Sequence, residues 1–294
     1  MSLAIIINPI SGGASPEAAR RRAERASAVL TSSGANGEIF LTERKGHARE
    51  LAAGAVARGA HLVVAWGGDG TVNEVASALV FTRAALAIVP SGSGNGLARE
   101  LGIARQPERA ILQGLAATPK PIDAGELGGR MFFSVAGVGF DAHVAACFDR
   151  DLGGRRGLAG YARITIRELF SYRARDYRVT GDVQRLAKRA ILVTLANSAQ
   201  FGNGARVAPD ARVDDGRLDL VVFEESSRAA TVRALPRLFT GSAGRMPGIS
   251  IQPVTSVTIE SDAPMTFHVD GEPVTGGARL AAHVHPGALL VSVR

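Results

Sequence analysis

Short aliphatic and β-branched runs alternate with alanine-rich stretches of helical period through residues 1–124, the pattern of a parallel α/β sheet. The apolar runs predict strands at Leu3–Ile7 and at residues 38–41, 61–65, 86–89 and 121–124, with helices between them at residues 16–32, 47–58, 71–79 and 107–117. Each glycine-rich segment follows a strand. Residues 8–13, 66–70 and 90–96 therefore fall at strand carboxyl ends, where open α/β sheets bind ligands.

Beyond residue 123 the texture changes to strand-like runs separated by glycine turns, at residues 131–136, 190–196, 218–223, 257–260, 265–269 and 289–293. Two helical interruptions are expected, at residues 157–172 and 227–239, and residues 125–130 are the nearest approach to a linker. The expected architecture is a parallel-sheet α/β domain over residues 1–124 and a mainly β domain over residues 125–294, whose C-terminal residues are candidates for a return to the first.

The whole chain has 294 residues and 46% apolar content, enough to bury a core and too apolar for wholesale disorder. Its 35 glycines exceed the roughly 7% of an average protein without a Gly-X-Y period, which assigns them to turns and loops. A net charge of +7, carried mostly by arginine, favours anionic or phosphate-rich partners. The lone Cys147 cannot form an internal disulfide, so a reducing, cytoplasmic setting is expected. No apolar run reaches the ~18 residues of a membrane span, and any membrane contact is expected to be peripheral.

The richest chemistry lies in Gly67-Gly68-Asp69-Gly70-Thr71, between a strand and a helix. Its glycines admit close backbone approach, and N–H groups at a helix start favour phosphate. A plain turn with Asp69 capping the helix fits the same residues. A second loop, Ser91-Gly92-Ser93-Gly94-Asn95-Gly96, and a third, Asn8-Pro9-Ile10-Ser11-Gly12-Gly13, fall on the same sheet edge, so that together they could enclose a polyphosphate. Neither a G-x-x-x-x-G-K-[ST] loop nor a G-x-G-x-x-G after the first strand is present.

In order and spacing these segments resemble the diacylglycerol kinase and sphingosine kinase family of soluble lipid kinases. The resemblance rests on Asn8 to Gly12, Thr42 ahead of Gly46-His47-Ala48, the two glycine loops, Asp123, Asp214-Asp215-Gly216 and Asp270-Gly271-Glu272. It implies an α/β domain followed by a β-sandwich, ATP in the cleft between them, and a Mg²⁺-dependent transfer of the γ-phosphate to a lipid hydroxyl. It also implies ATP contacts at Asn8, Ser11, Gly12, Thr42, Gly67, Gly68, Asp69, Gly70, Thr71, Asn73, Ser93 and Asn95. Asp215 would hold structural magnesium with main-chain carbonyls near Arg212 and Arg217, Glu272 would be the general base, Asp69 the acidic partner that organises magnesium and phosphate, and Asp270 a further catalytic residue. Where diacylglycerol kinases of this family carry Gly-Thr-x-Asn-Asp, the chain has Gly92-Ser93-Gly94-Asn95-Gly96, closer to the sphingosine and ceramide branch. A lysine common after the first loop is replaced by Gly13 or Ala14, which leaves Arg20 to Arg22 as basic substitutes.

Seven arginines between Arg155 and Arg178, interleaved with Leu158, Tyr161, Leu169, Phe170, Tyr172 and Tyr177, suit either an anionic membrane surface or a solvated helix face. No nucleic-acid motif accompanies them. His283 and His285 alternate on one strand face but lack a third ligand at metal spacing, so they are expected to be exposed strand histidines. His268 has either a cleft-facing or a packing role, and Trp66 and Cys147 are expected in the core or a pocket wall. Two further functions compete: an NAD kinase, which shares Gly-Gly-Asp-Gly-Thr but is disfavoured by the Asn8 to Gly12 opening, the Gly92 to Asn95 loop and the Asp270 to Glu272 motif, and a non-catalytic lipid- or nucleotide-binding protein.

Overall fold

A computed structural model describes residues 2–13, 15–152, 158–182, 186–202, 204–226, 237–238, 240–242, 244 and 246–293. It divides into two compact units, one of Met1–Ile122 with Gly287–Arg294 and the other of Asp123–Pro286.

The first unit alternates strand and helix in the order β1 (Leu3–Ile7), α1 (Pro16–Ser33), β2 (Gly37–Leu41), α2 (His47–Ala57), β3 (Leu62–Gly67), α3 (Asp69–Leu79), β4 (Ala85–Pro90), α4 (Gly96–Glu100) and α5 (Pro107–Ala116). All residues of β1 and β3 are buried, as central strands covered on both faces require. The pairing is parallel throughout, in spatial order β2-β1-β3-β4, and Leu290 and Val291 continue it beside Ala85 and Leu86. Right-handed crossovers then put α2 and α3 on one face and α1 and α5 on the other, which matches the packing of α2 on α3 and of α1 on α5. From β1 the chain turns to one side for β2 and to the other for β3. This reversal opens a crevice at the carboxyl ends of β1 and β3.

Local signals set the boundaries. Ser15 Oγ accepts the Ala18 N–H at the start of α1, Pro16 occupies its first turn, and Gly34 at φ 67° ends it. The C-terminal strand is fastened by Ser292, whose buried Oγ donates to the Gly114 carbonyl at 2.7 Å.

The second unit contains β5 (Pro119–Leu127, from Asp123 onward), β6 (Arg130–Phe132), β7 (Val135–Gly139), α6 (Phe140–Leu152), α7 (Leu158–Ser171), β8 (Arg175–Gly181), β9 (Leu186–Ala196), β10 (Gln200–Gly202), β11 (Ala205–Arg206), β12 (Leu218–Glu224), β13 (Ile249–Val254), β14 (Ser256–Glu260), β15 (Thr266–Val269), β16 (Glu272–Thr275) and β17 (Arg279–Ser292, to Pro286). Antiparallel pairing dominates, and long β9 serves three neighbours, β7, β8 and β12. Alternate residues of these strands, among them Phe132, Val138, Val193, Leu195, Leu220, Ile259, Phe267 and Leu280, enclose one apolar core in the manner of a β-sandwich. α6 and α7 bury Phe140, Val144, Cys147, Ile164 and Leu169 as a smaller cluster with Leu192.

Several expectations change. Residues 125–130 form a hairpin rather than a linker, with Gly125 opposite Phe132 and a two-residue turn of Gly128 and Gly129 at φ 56° and 77°. The strand expected at residues 131–136 breaks into β6 and β7, because the N–H groups of Phe133, Ser134 and Val135 donate to the Asp270 carboxylate. α6 was not expected, although Phe140, Val144 and Cys147 follow helical spacing. β17 begins ten residues before the apolar run at its end, since His283, His285, Pro286 and Gly287 interrupt the pattern. The helix expected at residues 227–239 lies largely outside the described residues.

Buried Asn197 donates from Nδ2 to the carbonyls of Asp123 and Phe133 at 3.0 and 2.9 Å, joining three segments of the second unit. Asn197→Ala is expected to destabilise the protein by about 2–4 kcal/mol, since two buried carbonyls lose a donor. Chemical denaturation measures it, and a loss under about 0.5 kcal/mol would contradict the role assigned to this amide.

Candidate active site

The three small-residue loops of the first unit meet at the crevice between β1 and β3. The loop at Gly67 to Thr71 is shorter than expected, for β3 runs through Gly67 and α3 starts at Asp69, with Gly68 alone as the junction. The loops touch backbone to backbone. A Cβ on Gly92 would lie 2.7 Å from Gly68 Cα, and one on Gly12 would lie 2.5 Å from the Ser91 carbonyl oxygen. Glycine is required at these positions by loop-on-loop packing as well as by any ligand.

Hydrogen bonds fix the assembly. Asn8 Nδ2 donates to Thr71 Oγ1 at 2.9 Å, and the Ser11 and Ser91 hydroxyls lie 2.7 Å apart. Asp69 accepts the Asn95 N–H on Oδ2 at 2.8 Å and the Gly96 N–H on Oδ1 at 2.6 Å. A carboxylate thus occupies the position at α4 where the sequence suggests a phosphate. Asn95, at φ 51°, closes its own loop by accepting the Gly92 N–H and donating to the Gly92 carbonyl. The first-turn N–H groups of α3 (Asp69, Gly70 and Thr71) have no intrahelical acceptor and carry the positive end of the helix dipole.

Of the three arginines proposed as basic substitutes, Arg22 reaches the loop. Its guanidinium donates to the carbonyls of Asn8 and Ser11 and to Ser11 Oγ, at 2.8–2.9 Å. Burial, with the neighbouring charge of Arg25, lowers its pKa from the usual guanidinium value. Arg20 instead pairs with Glu24 on the surface. Buried Thr42 follows β2 and donates its N–H to Ile7, while Glu74 accepts the N–H groups of Gly46 and Ala48 and so ties α3 to the Thr42–His47 region. Ser91 and Glu74 were not among the expected contacts. Ser93 is partly exposed in its loop, and Asn73 lies one turn into α3.

In the second unit, Asp270-Gly271 is the two-residue turn of the β15–β16 hairpin, with φ of 47° and 84°, and Glu272 opens β16 opposite Val269. The Asp270 carboxylate accepts three N–H groups, from Phe133, Ser134 and Val135. Beneath the turn, His268 Nδ1 faces the Gly271 N–H and its Nε2 lies 3.1 Å from Asp141 Oδ2, which also accepts from Thr194 Oγ1 at 2.7 Å. Since the Gly271 N–H requires an acceptor, Nε2 carries the proton. His268 is buried at 3% exposure, which settles its role as packing and positioning.

Asp123, also buried, accepts the Gly216 N–H at 2.7 Å and holds the loop that carries Asp214 and Asp215. Asp215 Oδ1 accepts the Arg217 N–H, and Arg212 pairs with Asp214. Burial, reinforced by the charges of Asp215 and Asp210, raises the pKa of the half-buried Asp219. In the basic stretch Arg163, Arg167, Arg173, Arg175 and Arg178 are exposed, with Arg167 and Arg178 paired to Glu168 and Glu260. Leu169 and Tyr177 are core residues, and Arg155 and Arg156 lie outside the described residues. Among the described residues no helix is long and apolar enough to cross a membrane.

Residues 2–127 match the family model of the diacylglycerol kinase catalytic domain, and residues 134–293 match that of the YegS C-terminal NAD kinase beta sandwich-like domain. A "Probable lipid kinase YegS-like" of Pseudomonas aeruginosa is 34% identical over 255 residues, 86% of this chain and 83% of that protein. The chain belongs to the YegS-like lipid kinase family. A relative with the same description from Chromohalobacter salexigens is 30% identical over 249 residues, 83% of this chain and 78% of its own. The fold of the YegS-like family member described here is shared with a crystal structure of a diacylglycerol kinase from Bacillus anthracis, with TM-score 0.73 at 19% identity over 100% of this chain and 97% of that one. Another structure from that organism gives TM-score 0.84 at 22% identity, covering 100% of this chain and 95% of the other.

Loop packing generates a prediction for this site. If the crevice takes a nucleotide, Gly92→Ala should keep a cooperative unfolding transition but weaken its binding at least ~10-fold, because the new methyl group forces apart the loops that line the crevice. Fluorescent-nucleotide titration reads the change, and unaltered affinity would show that the crevice is not the nucleotide site.

Proposed function

We propose that this YegS-like family member is an ATP- and Mg²⁺-dependent lipid kinase, which transfers the γ-phosphate to a hydroxyl of a diacylglycerol- or sphingoid-type membrane lipid. The observation that carries the nucleotide part is the convergence of three loops, the α3 N-terminus and the Arg22 guanidinium at the topological reversal of a parallel sheet. That arrangement suits a polyphosphate, which takes N–H donors and fixed positive charge.

In this reading Asn8, Ser11, Gly12, Thr42, Gly67 to Thr71, Asn73 and Ser93 serve the nucleotide. Asp69 and Asn95 contribute chiefly by setting the shape of the loops, because their polar groups are engaged there. Glu272 is the general base that takes the lipid hydroxyl proton as the bond to phosphorus forms, and Asp270 positions it through the turn that it anchors. His268 and Asp141 brace the same turn from below.

The donors around Asp215 fit magnesium, being hard oxygens: its own carboxylate and the main-chain carbonyls at Arg212 and Arg217, with the acidic groups of Asp210 and Asp219 nearby. Bound there, the ion supplies charge neutralisation and braces the loop ahead of β12. Mg²⁺ should raise the Tm of the wild type, and Asp215→Asn should lose most of that increment; an equal increment in the variant would dismiss the site.

Activity separates the remaining readings. A panel of diacylglycerol, monoacylglycerol, sphingosine, ceramide and NAD with labelled ATP should yield a phosphorylated lipid, whereas phosphorylated NAD or no product would favour the alternatives. Glu272→Gln should lower kcat on the accepted lipid by at least ~10²-fold while KM for ATP stays within about two-fold. The exposed arginines of residues 163–178 offer contact with anionic lipid at a membrane surface. Turnover on vesicles should then rise with anionic lipid and fall with salt, and indifference to both would reject that contact.

A further inference from the structure

We infer that Glu126, His283 and His285 form a binding site for a divalent transition-metal ion, with zinc as the type. β5 pairs with β17, and the three residues lie on the outer face of these strands. Leu127, Leu280 and Ala282 point into the core, so by strand alternation Glu126, His283 and His285 point away from it. Sequence spacing shows only the two histidines, because the carboxylate is contributed by a strand at the opposite end of the unit.

The donor atoms are already gathered. Glu126 Oε2 lies 2.9 Å from His285 Nε2 and 3.2 Å from His283 Nε2, and all three ligand atoms fall within 4.8 Å of one another. Zinc bonds of ~2.0–2.2 Å in tetrahedral array place neighbouring ligands about 3.3 Å apart, so the carboxylate and each imidazole need move only a few tenths of an ångström relative to each other. The imidazoles meet edge to face with centroids 4.5 Å apart, which directs both Nε2 atoms at one carboxylate oxygen. With side-chain exposures of 42%, 23% and 22% for His283, His285 and Glu126, the site is open to solvent, and a fourth position is available to water. Two imidazoles and one carboxylate select zinc, cobalt or nickel over magnesium, which prefers oxygen alone.

A second cluster, His143, Cys147 and Glu168, also has its ligand atoms within 4.8 Å. Cations already hold it, since Arg167 donates to Glu168 and Arg150 lies 3.5 Å from Cys147 Sγ. Glu126, in contrast, is partnered by imidazoles. An ion at the first cluster would link the strand by which the chain begins the second unit at Asp123 to the strand by which it leaves at Pro286. Such a link stabilises the fold by mass action, independently of any phosphoryl transfer.

The test uses the full-length, tag-free protein freed of metal by a chelator. Desalted after incubation with zinc in excess Mg²⁺, it should retain one equivalent and unfold at a higher Tm. Glu126→Gln, and separately His283→Gln with His285→Gln, should weaken zinc binding at least ~10-fold and abolish the Tm increment. Glu126→Gln is nearly isosteric, so that variant keeps the fold even if the double variant proves unstable. Cobalt in place of zinc should give visible d–d bands without thiolate-to-metal charge transfer. Failure of the wild type to retain zinc, retention undiminished in both variants, or a thiolate charge-transfer band that disappears in Cys147→Ser would each overturn the assignment.

Discussion

The carboxylate of Asp69 accepting two backbone N–H groups of the neighbouring loop is the constraint from which the first unit's site takes its shape. It places a fixed negative charge at the start of α4 and leaves the positive end of α3 directed at the crevice. The two glycine loops are therefore unequal. One presents donors outward, and the other is held as a wall by the anion of the first. Removal of the side chains at Gly68 and Gly92 is what lets the carboxylate reach across, since any Cβ on Gly92 would meet the opposing backbone.

The second unit solves a related problem with buried polar groups. The hairpin turn at Asp270-Gly271 must be held in place, for a two-residue turn by itself is only marginally ordered. Asp270 secures it by binding the β6–β7 junction, and the Thr194–Asp141–His268 chain secures it from beneath. Buried charges of this kind are tolerated because each oxygen has a donor. Thr194, Asp141 and His268 accordingly come from β9, α6 and β15 rather than from loose loops.

Local sequence carried much of this. The bounds of β1 and the starts of α1, α2 and α5 follow from runs, caps and prolines, and the short motifs at Asn8, Gly67, Gly92 and Asp270 mark turns whose geometry needs those residues. Contacts between distant segments were not legible. Asp141 has partners 53 and 127 residues away, and nothing beside it in the chain marks it as polar core rather than surface. Glu126 is hidden in the same way, 159 residues before His285. α6 was missed because its apolar residues follow a glycine-rich strand and share its composition.

The pairing of Leu290 and Val291 with β4 makes the first unit discontinuous in the chain. During synthesis from the N-terminus, β1 to β4 emerge and can collapse early, but β4 keeps an unsatisfied edge until some two hundred further residues have been added. The interval exposes a flat apolar strand to wrong partners, the circumstance in which nascent chains need a chaperone's cover. The second unit has to be made in full before the first can close its sheet. Deleting residues 287–293 would accordingly damage the unit that lies farthest from them in sequence.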